Sequence, residues 1–165
     1  MTTGRDGDRR DADPDDGRNE TETERLDRNW NALLQELRVL ETGTQILTGF
    51  LLTVAFQSAF AKLNAAEVTI YLVTLSLAIL AAILVLTPVA LHRGLFRRRK
   101  MGDLVAWSDR ILRVSLLIAG LTVVGVALLV FQIAAGPVAG IAAAVVAAVV
   151  LVSSWFLLPL GLRRR

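Results

Sequence analysis

Residues 24–60 read ERLDRNWNALLQELRVLETGTQILTGFLLTVAFQSAF, and the charge stops partway along. Up to Glu41 charged side chains are interleaved with apolar ones; from Thr42 to Phe60 there are none. In the first half Leu26, Trp30, Leu33, Leu37 and Leu40 recur at intervals of four and three, a narrow apolar stripe on one helix face. Arg28, Asn31, Gln35 and Arg38 lie opposite. The pattern predicts an amphipathic helix over 24–42 that begins near Thr23, with Glu24 and Asp27 suited to its positive N-terminal end. The stripe covers about two heptads, short of the three or four that mark a coiled coil.

The uncharged half is the first of four long apolar runs. They occupy 42–60, 68–91, 114–134 and 138–160, and none contains Asp, Glu, Lys or Arg. A soluble core rarely needs uncharged runs of about 20 residues, whereas a hydrocarbon layer about 30 Å thick does. Helices satisfy their own backbone in lipid; a spanning strand needs only about 10 residues with alternating faces. The fold class expected is all-α: a membrane protein of four antiparallel transmembrane helices preceded by a cytoplasmic amphipathic helix. Two units follow, a disordered acidic tail over 1–23 and a membrane domain over 24–165.

Basic residues orient the spans. Residues 92–113 hold seven, the segment before the first span seven and the C-terminus three, against Lys62 alone on the other connections. Both termini and the 92–113 segment are therefore expected in the cytoplasm of a multi-pass cell-membrane protein. The tail has no large apolar residue after Met1, and its eight acidic and four basic groups keep it solvated. No cleaved signal segment is expected.

Few residues carry chemistry. The chain has no cysteine and one histidine, so no metal site and no cofactor is expected. No paired carboxylates, nucleophile triad, phosphate-binding loop or dinucleotide fingerprint is present, and an enzyme is not expected. Arg38, Glu41, Gln45 and Thr48, with Thr44, form a polar stripe at the start of the first span. That span is the least apolar, so it should face the bundle, where the stripe either bonds a neighbouring helix or lines an ion path. His92, after Pro88, suits a helix cap or an interfacial switch, because imidazole titrates near neutral pH. Gly136, Gly140, Ala144 and Ala148 form a small-residue packing stripe, with Ser115, Ala119 and Gly120 as its mate. Arg97, Arg98, Arg99 and Lys100 adjoin a span and fit anionic lipid headgroups better than nucleic acid.

The apolar stripe of 24–42 must be covered. Lipid headgroups, a second copy, or the extension of the third span at Met101, Leu104, Val105, Ile111 and Leu112 are the candidates. A stripe this narrow favours protein.

Three short motifs resemble a family of uncharacterised small actinobacterial integral membrane proteins, a domain of unknown function with four transmembrane helices. They are Leu34, Glu36, Leu37 and Arg38; Thr42, Gln45, Ile46 and Leu47; and Pro88, Val89, His92 and Arg93. The resemblance covers about residues 24–135 and implies the architecture, with no activity attached. The function expected is that of a non-enzymatic packing, interaction or lipid-contact protein, with homo-oligomerisation compatible. The alternative is a small oligomeric channel or a secondary transporter for protons or cations, with span one lining the path.

Overall fold

The computed structural model describes residues 11, 17, 19–95, 101–157 and 160. Most of the acidic tail, Arg97 to Lys100 and the C-terminal arginines lie outside the described residues. Four helices follow one another: α1 Glu22–Val54, α2 Ala65–Leu95, α3 Met101–Ala135 and α4 Pro137–Val152. A 3-10 turn, Phe60–Lys62, precedes α2, and a π-helical turn, Ser153–Leu157, continues α4. The fold is all-α.

The helix starts follow from capping chemistry. Thr21 Oγ1 accepts from Glu24 N–H at 3.3 Å while Glu24 Oε2 accepts from Thr21 N–H at 2.8 Å. This capping box starts α1 slightly before Thr23. Asn64 and Glu67 repeat it at α2, with bonds of 3.0 and 2.9 Å. Gly136 alone separates α3 from α4; its φ of 91° is open to glycine at no cost, and Pro137 sets the first turn of α4.

α1 joins what the sequence divides. The amphipathic stretch and the start of the first apolar run form one helix of 33 residues, about 50 Å long, and Gly43 does not interrupt it. Three stretches, Ala65–Gly94, Leu104–Ala135 and Pro137–Trp155, are long and apolar enough to cross a membrane; α1 is not among them. Its helical part after Thr42 ends at Val54, a rise of only about 20 Å. Residues 55–60, expected to complete that span, form turns instead. α2 and α3 overrun their expected spans, and α3 begins well before Val114.

The stripe of α1 is covered by protein. Trp30, Leu33 and Leu37 are buried with Val85 of α2 and Leu104 and Leu112 of α3, and Leu40 and Val105 pack beside them. Where water is the alternative, each such side chain contributes roughly 1.5–3 kcal/mol. The seam then runs on through Thr44, Leu47, Leu51 and Val54, still at intervals of three and four. At its far end Leu51 is buried with Tyr71 and Ala78 of α2 and Leu129 of α3. α2 buries Tyr71, Thr74, Ala78, Ala81, Val85 and Pro88 with the same spacing. This is the repeat of helices crossing at about 20°.

Small and hydroxyl side chains let α2 and α3 approach closely. A Cβ on Gly125 would lie 2.5 Å from Thr74 Oγ1. Buried hydroxyls return to their own helix: Thr74 to Ile70 O at 2.7 Å, Ser115 to Ile111 O at 2.8 Å and Thr122 to Ile118 O at 2.9 Å. Ser108 Oγ is buried without a hydrogen-bond partner among the described residues. α4 packs chiefly on α3, and its helix is the least buried of the three apolar stretches.

Candidate functional site

α1 and α4 flank α3 without closing on each other. The gap between them is a groove of about 620 Å³, within the size range of small-molecule sites. Ala119 and Gly120 of α3 form its floor. Leu40, Gly43 and Leu47 form the α1 wall, and Leu151 the α4 wall. The lining is almost wholly apolar, with Glu36 and Ser154 among the few polar side chains.

Trp155 closes one side of the groove. It sits in the π-helical turn, and a Cβ on Gly120 would lie 3.0 Å from its ring. Glycine at 120 lets the indole approach α3 this closely; any larger residue would have to push the ring back. The same ring borders a second apolar cleft of about 300 Å³ with Leu117, Leu121 and Ala148, so Trp155 divides two hollows on the α3–α4 face. π-turns recur at functional sites because the extra residue re-aims a side chain.

The polar stripe of α1 does not face the bundle as expected. Arg38 and Gln45 are exposed, and Glu41 and Thr48 are half-buried. Only Thr44 enters the seam, where its hydroxyl donates to Leu40 O at 3.0 Å and Glu41 O at 2.9 Å. Gln45 Nε2 donates to Glu41 Oε1 at 3.2 Å, a bond within α1. The physical reason is rotation: residues one position after a seam lie about 100° around the helix from it. The stripe therefore sits on the flank of α1 opposite the groove.

His92 stacks on Trp30, with centroids 5.0 Å apart, and so ties the end of α2 to α1. Gly140 of the small-residue stripe lies against α3 of the same chain; a Cβ there would come 2.7 Å from Gln132 Cβ and 2.8 Å from Leu128 O. Gly136 is the hinge residue, and Ala144 and Ala148 are half-buried. The groups proposed for lipid headgroups, Arg97, Arg98, Arg99 and Lys100, lie outside the described residues.

Two features escape a sequence reading. Tyr71 Oη donates to Leu51 O at 3.0 Å, holding the end of α1 to α2, and Phe60 packs edge-on against the same ring. Glu67 caps α2 and also accepts from Gln132 Nε2 of α3 at 3.4 Å. A lone tyrosine and a glutamine inside apolar runs are the only sequence traces of these contacts. Trp155 has a clearer trace, an indole opposite a glycine on the preceding helix.

No curated protein and no solved structure matches the chain. A family model matches residues 19–159, which contain all three motifs that carry the resemblance read from the sequence. The chain belongs to a family of unknown function, DUF6328.

Proposed function

We propose that this is a non-enzymatic integral protein of the cell membrane that works by lipid contact, holding one phospholipid acyl chain in the groove between α1 and α4. The observation that carries the reading is the groove itself. Its floor and one wall belong to helices apolar enough to cross a membrane, so its open side faces the hydrocarbon. An apolar hollow there meets acyl chains before any other ligand.

In this reading α1 makes a fourth crossing, its helix running from the level of Arg38 to Val54 and the turns through Phe60 lying in the far headgroup layer. The protein then has both termini and 92–113 in the cytoplasm. The basic side chains favour this orientation. Trp107, exposed on α3 with the Arg110 guanidinium 5.3 Å from its ring centroid, suits the headgroup layer at that end of α3. The cytoplasmic ends of α1, α2 and α3 then project from the bilayer together.

The test uses the full chain in nanodiscs containing a phospholipid with a diazirine in its acyl chain. Photolabelling should concentrate on Leu116, Gly120 and Val123. Gly43 has open space around it, so Gly43→Leu should fill the groove and remove that labelling at least five-fold. Labelling of Ile79, Ile83 and Val145 at the same density as the groove would sink the reading.

A further inference from the structure

We propose that the chain pairs with a second copy of itself through the outer flank of α1, with Arg38, Glu41, Gln45 and Thr48 at the contact. These residues recur at intervals of three, four and three, and Leu52 continues the series. They form a second heptad seam, one residue out of step with the buried one. α1 thus presents one seam to its own bundle and another outward.

Depth makes the second seam costly to leave open. Leu37 shares a cluster with Leu112, and Leu51 with Leu129, so α1 and α3 run level and parallel. Glu41 and Gln45 fall between those levels, beside the stretch of α3 after Arg113 that has no charge up to Ala135. On the membrane placement of α1 proposed above, they lie at the hydrocarbon edge and inside it. Among the described residues, no hydrogen bond from another helix reaches Glu41 or Gln45, and Arg38 has no ion pair. Acyl chains cannot satisfy an amide or a carboxylate.

Charge complementarity selects the occupant. A two-fold axis along the membrane normal brings equal levels of α1 together, and such a contact is self-complementary. Arg38 and Glu41 differ in level by about 4.5 Å, which the long guanidinium arm spans, so Arg38 reaches across the axis to Glu41 of the partner subunit and the reverse pair forms by symmetry. The Gln45 amides of the two copies face each other, and amides pair readily as donor and acceptor. Polar side chains at seam positions also set the register and number of strands. The groove, on the other flank, stays open to lipid. The inference needs α1 in the membrane and does not depend on what fills the groove.

The chain has no cysteine, so single introduced cysteines report cleanly. In native membranes, the full chain carrying Gln45→Cys should form a disulfide-linked dimer under a membrane-permeant oxidant. The yield should exceed at least five-fold that of Ile83→Cys on α2 or Val146→Cys on α4, both exposed. Adding Arg38→Glu should cut the Gln45→Cys yield at least five-fold, and Arg38→Glu with Glu41→Arg should restore it. Restoration also shows that the single variant failed to pair rather than to fold. Equal crosslinking at all three positions, insensitivity to Arg38→Glu, no rescue by the double reversal, or a native mass of one or more than two copies would each overturn the proposal. A larger assembly would mean that the flank lines a water path instead.

Discussion

The imidazole of His92 lies nearly flat on the indole of Trp30, the two planes 20° from parallel. The contact joins the last turn of α2 to the third turn of α1. Trp30→Ala should cost about 3–5 kcal/mol, because the indole is 7% exposed and its loss opens a cavity between three helices. A double-mutant cycle with His92→Ala, followed by denaturation in detergent micelles, should give a coupling of about 0.5–1.5 kcal/mol. A coupling near zero would reduce the stack to simple area burial.

Close approach of α2 and α3 predicts an asymmetry between glycines. Gly125→Ala drives a methyl into the Thr74 side chain and should destabilise by about 1–3 kcal/mol. Gly49→Ala meets open space on α1 and should be neutral or stabilise by up to about 1 kcal/mol, since alanine is the better helix former. Thermal unfolding of the two variants side by side decides it.

Ser108 offers a test with the opposite sign to a normal core truncation. Its buried hydroxyl is unpartnered among the described residues, so Ser108→Ala should hold or raise stability, by up to about 1 kcal/mol. Ser115→Ala removes a hydroxyl that donates to Ile111 O and should not stabilise. A fall in melting temperature for Ser108→Ala would show that its oxygen is satisfied by water.

The first turn of α1 should depend on pH. The bond from the Thr21 backbone N–H, then the one from its hydroxyl, holds the Glu24 carboxyl below its ordinary value of 4.5. A depressed carboxyl contributes stability above its unfolded value and loses it as pH falls through its folded one. Protection of the amides at residues 22–25, taken relative to the intrinsic exchange rate at each pH, should therefore be steady above pH 4.5 and fall below it. In Glu24→Gln that protection should not change across the window.

Orientation is open to direct labelling. With cysteine introduced at Asn64 or at Gly102, a membrane-impermeant maleimide should reach position 64 from outside intact cells. It should reach position 102 only after permeabilisation. The reverse result would invert the charge argument.

The sequence shows α1 only as far as contrast lasts. From Leu26 to Leu40 apolar side chains stand out against charged ones, and the seam is legible. At Thr44 a hydroxyl occupies the seam while Ile46 and Phe50 point outward, so the contrast reverses although the spacing continues. In α3 the buried positions include Ser108, Ser115 and Thr122 and the exposed ones Leu117 and Leu121. Lipid rewards apolar surface as a core does, so hydropathy loses its directional meaning and residue size carries the signal. The groove had no signal of its own. It arises because α4 packs on α3 and stops short of α1, a relation between helices distant in sequence.

One residue between α3 and α4 also constrains how the protein is made. Gly136 leaves no linker in which a finished α3 could wait, fully inserted, while α4 is still being synthesised. On the membrane placement proposed above, the two helices enter the bilayer together as a hairpin, with Gly140 already seated on Gln132 and Leu128. Lengthening that turn would uncouple the two insertions. Nascent chains would then pass through a state with α4 outside the bilayer, accessible to quality-control proteases.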